Sequence, residues 1–113
     1  MSAEILFVAD GEHQRAAAFE LSATHFAMRA TDDKGMVWAT NHFMDPAMTA
    51  YVAPLDPKAS TLSRFARLKE LLDPDGGTKY GKIDLSGAAS VLRDGHNPLT
   101  GEDIPTDQFD NGG

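Results

Sequence analysis

Asparagine, histidine and threonine occur together at Thr40-Asn41-His42-Phe43. An asparagine side chain held rigidly at the end of a structural element can aim its amide N–H at a carbonyl oxygen as negative charge develops there. Such a donor lowers an acyl-transfer barrier by about 3 kcal/mol. The same residue can equally close a strand with an Asx turn, in which its side chain bonds its own backbone. His42 is a base by type, but a histidine at such a place also serves as a packed or turn-side group. The chain has no cysteine, which removes disulfides, thiolate metal sites and a cysteine nucleophile together. His13, His25, His42 and His96 lack the short spacings that zinc ligation favours, although His25 and His42 could meet across neighbouring strands. Gly76-Gly77 has no Lys-Ser/Thr partner for a phosphate loop. The residues point to no metal and no cofactor.

The elements that must position Asn41 can be read from patterning. Residues 4–9, 16–22, 25–30 and 36–40 are short apolar or alternating runs separated by turn residues, which predicts a β-meander over 1–43. The last of these, Met36-Val37-Trp38-Ala39-Thr40, is expected as a buried strand with Asn41 just past its end. Residues 41–58, with three prolines and no clean period, read as a loop. Ser60 is expected to cap a helix whose apolar positions are Leu62, Phe65, Leu68, Leu71 and Leu72. Asp73-Pro74 stops it. A glycine-rich connector over 75–82 leads to a second helix, capped by Asp84 and running to about Leu92. The two helices occupy 60–93, and 94–113 is expected as an irregular tail. Sheet first and helices second gives an α+β class in a chain whose 113 residues suit a single domain or subdomain.

The segment MVWATNHFMDP, followed after a proline-containing loop by STLSRFARLKELLD, resembles the C-terminal portion of the acyl-coenzyme A:6-aminopenicillanic acid acyltransferase family, the penicillin acyltransferase-like N-terminal nucleophile hydrolases. The residues upstream of Thr40 are similar to that family's meander, and VLRDGHNPLTGE to its later helix and loop. The resemblance implies an αββα sandwich and chemistry on linear C–N bonds of non-peptide amides. In that family a cysteine freed as a new N-terminus attacks the acyl carbonyl, and the motif asparagine stabilises the oxyanion. Only that last role carries over, onto Asn41, with His42 and Arg64 in support. Where the family pattern places serine three residues before the arginine, this chain has Thr61, which keeps a hydroxyl.

The implied protein is a fragment or subunit of an amide hydrolase or acyltransferase, inactive alone. It would need a nucleophile-bearing partner chain and would act on a small-molecule acyl amide or acyl thioester. Ser2 could serve as an N-terminal nucleophile only if Met1 were removed. The alternative is a non-catalytic interaction or dimerisation domain built on the same scaffold, for which homo-oligomers are the expected partners. A net charge of −7 argues against nucleic acid, and no apolar run reaches the roughly 18 residues that cross a bilayer. The chain starts without a secretory pattern, so a cytoplasmic location is the default expectation. Asp73, Asp75 and Asp84 fall at the first, third and twelfth places of a calcium-loop spacing. With Gly77 and Thr78 at the fifth and sixth there are too few oxygens, and a helix connector is the preferred reading.

Overall fold

The computed structural model describes residues 4–104, so Ser2 and the end of the expected tail lie outside it. The chain divides into two compact units, Met1–Thr61 and Leu62–Gly113.

The first unit is built on a three-stranded antiparallel sheet in the order β1-β2-β3, comprising Glu4–Asp10, Arg15–Leu21 and Phe26–Ala30. Side chains alternate between faces along each strand, and the register sorts them. Phe7, Ala18 and Arg29 align on one face, with Ile5, Glu20 and Ala27 beside them. On the other face lie Leu6, Phe19 and Met28, flanked by Val8, Leu21 and Phe26. The first face carries the core, for Ala18 and Glu20 are fully buried. The second is open. Leu6 is 53% exposed, Met28 56% and Phe26 72%.

Residues 36–40 do not form the fourth strand expected from their composition. Asp32 closes a tight turn instead, its carboxylate accepting the N–H groups of Lys34 and Met36 at 3.0 and 2.9 Å. Beyond the turn, the carbonyl of Trp38 is met by the guanidinium of Arg29 on β3, at 2.7 Å. A side chain therefore fills the role that a neighbouring strand would have played. The stretch expected as a featureless loop contains a short helix, α1, Pro46–Thr49. Asp45 caps it by accepting from Ala47 N–H at 2.9 Å, and proline at the first helical position has no N–H to leave unsatisfied. The helix buries Met48 and lies against β3.

Helix α2, Ser60–Leu72, begins with Ser60 already helical rather than as the cap. In the second unit its C-terminal end is closed by the glycine-rich connector, which folds back onto the last carbonyls. Gly77, Thr78 and Lys79 donate to Asp73, Glu70 and Leu71 at 2.7, 3.2 and 2.8 Å. A Cβ on Gly77 would lie 2.5 Å from the Asp73 nitrogen, so only glycine fits there. Helix α3, Leu85–Leu92, is capped as expected by Asp84, which accepts from Gly87 N–H at 2.7 Å. Past it, an isolated bridge between His96 and Asp103 gives local order to the described part of the expected tail.

A bidentate pair ties α2 to the segment after α3. Arg67 Nε and Nη2 each donate to Asp94 at 2.9 Å, and Nη1 donates to Glu70 at 2.9 Å. The hydrogen bond from Arg67 holds the Asp94 carboxyl below its ordinary range, and the same pair raises the guanidinium. A depressed carboxyl stabilises the fold above the unfolded pKa of about 3.9, and the gain disappears as pH falls through the lower folded value. Asp94→Asn should therefore cost about 2 kcal/mol near neutral pH. In urea unfolding the gap to wild type should shrink as pH falls below about 4; a gap independent of pH would contradict the assignment.

Candidate functional site

Thr40-Asn41-His42-Phe43 is fastened from two directions. The first is the side chain of Thr61, in the opening turn of α2, which is only 6% exposed. Asn41 N–H donates to Thr61 Oγ1 at 2.6 Å. The Thr61 hydroxyl donates to Thr40 Oγ1 at 2.7 Å, and the Thr40 hydroxyl donates to the Thr61 carbonyl at 2.9 Å. His42 Nδ1 lies 2.9 Å from Thr61 Oγ1 and 3.1 Å from Thr40 Oγ1. With both hydroxyl protons committed in this way, Nδ1 can join the ring only as a donor.

The second fastening is Glu20. Its carboxylate accepts from Met44 N–H at 3.0 and 2.9 Å, one distance to each oxygen, and from Asp45 N–H at 2.8 Å. Arg29 Nε donates to Oε2 at 2.9 Å. Glu20 and Arg29 share a sheet face on adjacent strands, diagonal to one another in the register, which puts them within reach. The buried carboxylate is thus neutralised by one guanidinium and two backbone amides. Phe43, between the two fastenings, is buried, whereas Asn41 is exposed.

Asn41 does not follow a strand; it sits on a turn that Thr61 and Glu20 anchor from either side. His42 belongs to the threonine ring, while His25 stacks on Tyr51 with ring centroids 3.7 Å apart. Arg64 is exposed and lies one turn along α2 from Thr61, hence on the same helix face. Glu20 belongs to the site through its contacts with Met44 and Asp45, which residue type and spacing do not single out. Its signal is a glutamate in phase with Ala16 and Ala18 on a mostly apolar strand, nine residues before an arginine.

In the connector, Asp73 accepts from Asp75 N–H at 2.9 Å and pairs with Lys69 at 3.3 Å, and Asp84 serves as a helix cap. These carboxylates act locally. Among the described residues no three His, Cys, Asp or Glu side chains come together in a way that could hold a metal ion, and no helix is long and apolar enough to cross a membrane.

Comparisons with known protein families, with curated proteins and with solved structures found no match to this chain.

Replacing Glu20 with glutamine keeps the shape but removes the charge and sets an NH2 group against N–H donors. Breaking one side of a buried ion pair is worth about 3 kcal/mol. Glu20→Gln should lower the unfolding free energy by that order in urea titration, and a loss under about 1 kcal/mol would show that the carboxylate is not the anchor.

Proposed function

We propose that this chain supplies the oxyanion-stabilising part of an amide hydrolase or acyltransferase of the penicillin acyltransferase-like kind, as a fragment or subunit that takes its nucleophile from another polypeptide. One observation carries the reading: Thr61 Oγ1 receives the Asn41 N–H at 2.6 Å. The two segments that carry the family resemblance, the asparagine motif and the hydroxyl-bearing start of the following helix, are joined by that bond. Threonine keeps the hydroxyl of the serine in the family pattern, and in this chain the hydroxyl makes the contact.

On this reading a thiolate delivered by a partner chain attacks the carbonyl carbon of a small-molecule acyl amide or acyl thioester. The carbonyl oxygen takes up the electron pair, and the Asn41 side-chain amide donates to it. Collapse of the tetrahedral species breaks the C–N or C–S bond, and the leaving amine or thiol takes the proton that the partner chain's α-amine removed from its own thiol. The acyl group stays on the partner's sulfur until water or an acceptor amine takes it. Arg64 and His42 support the site without a step assigned to them. The sheet is one layer of an αββα sandwich, and its second layer covers Leu6, Val8, Phe26 and Met28, all exposed in this chain. The location proposed for the assembly is cytoplasmic.

The open apolar face equally favours a second reading, a non-catalytic interaction or dimerisation domain, since a sheet buries both faces when it has something to pack against. Light scattering tests this: a particle that remains monomeric at millimolar concentration would count against it.

For the catalytic reading, the chain is mixed with candidate cysteine-bearing chains and assayed on a panel of acyl amides and acyl thioesters. Activity is expected only in the mixture, and Asn41→Ala should reduce kcat by about 100-fold or more. Activity that survives Asn41→Ala unchanged would overturn the proposal.

A further inference from the structure

The backbone N–H of Asn41 is held by one side chain, that of Thr61. Thr61 Oγ1 accepts the Asn41 N–H at 2.6 Å, donates to Thr40 Oγ1 at 2.7 Å and lies 2.9 Å from His42 Nδ1. A hydroxyl offers one donor and two acceptor positions, and all three are engaged here. The Thr61 carbonyl adds a fourth link by accepting from Thr40 at 2.9 Å. A side chain that is 6% exposed and fully engaged is poorly suited to attack a substrate and well suited to hold its neighbours.

We propose that Thr61 is the positioning residue for Asn41: its hydroxyl, rather than its volume, fixes the orientation of the Thr40-Asn41-His42 turn. The purpose of that orientation rests on the acyltransferase-like reading, whereas the positioning itself rests on the hydrogen bonds. Valine has nearly the volume of threonine but leaves the Asn41 N–H, the Thr40 hydroxyl and His42 Nδ1 without their common partner. Serine restores all three and loses only a methyl group.

The test is amide hydrogen exchange and the amide proton shift of Asn41, measured by NMR on the full chain as wild type, Thr61→Ser and Thr61→Val. In wild type the Asn41 amide should be protected and shifted to low field. Thr61→Ser should retain both signatures. Thr61→Val should speed Asn41 exchange by about tenfold or more, with the amides of Ala18 and Phe19 in the sheet unchanged. An equal response of serine and valine variants would assign the effect to packing and overturn the proposal. If Thr61→Val does not fold, the other two proteins decide: an unprotected Asn41 amide in wild type overturns it, and protection in both supports it. Loosening by valine together with an assembled enzyme indifferent to Asn41→Ala would leave the positioning standing and remove the catalytic reading.

Discussion

A carboxylate with no solvent exposure, on the central strand of a three-stranded sheet, is the constraint on which the first unit depends. Withdrawing an ion from water is expensive, and it is tolerated only where opposite charge and hydrogen-bond donors replace the lost hydration. Glu20 meets that condition with Arg29 and the amides of Met44 and Asp45. The requirement works in both directions. The sheet cannot bury Glu20 unless residues 44 and 45 are brought over it, and those residues have no strand or helix partner of their own to receive their N–H groups. Asp45, once held, caps α1, and α1 buries Met48. Arg29 uses its remaining fork on the Trp38 carbonyl, so the same ion pair also fixes the approach to the Asn41 turn.

Between these points lies a stretch with little regular structure and a large share of the unit's polar contacts. Loops that carry function are commonly irregular but mounted on rigid elements. Here the mounting is by side chains: Glu20 from the sheet at residues 44 and 45, Thr61 from the helix start at residues 40 to 42. Two attachments on either side of buried Phe43 leave the turn few ways to rearrange. Chemistry that requires a donor in place before charge develops benefits from such restraint, because no reorganisation is left to make during the reaction.

Much of this architecture is legible in the sequence, and the exceptions have a common cause. Strands β1 to β3 and helices α2 and α3 follow from periodicity, and the Asp84 cap follows from residue type. Met36-Val37-Trp38-Ala39-Thr40 has the composition of a strand, but Met36 bonds back to Asp32 and the Trp38 carbonyl accepts from the Arg29 guanidinium, choices that local propensity does not encode. Helix α1 shows no period because it is a single turn, although Asp45-Pro46 spells a cap and a first helical residue. Apolar spacing also located α3 without fixing its burial, for Leu85 and Leu92 are both left exposed. The position of Asn41 was legible as a motif, whereas the residues that hold it, Glu20 and Thr61, lie about 20 positions away on either side and are linked to it only through the fold.

The contacts of Thr61 and Glu20 hold the Asn41 turn in place before any partner or substrate arrives. Backbone 15N relaxation on the isolated protein addresses it directly. Order parameters for residues 40–45 should match those of β2, about 0.85, despite the absence of a strand or helix over 40–44. Values below about 0.6 across Asn41 and His42, beside a rigid sheet, would mean that the turn is not preorganised and would contradict the account.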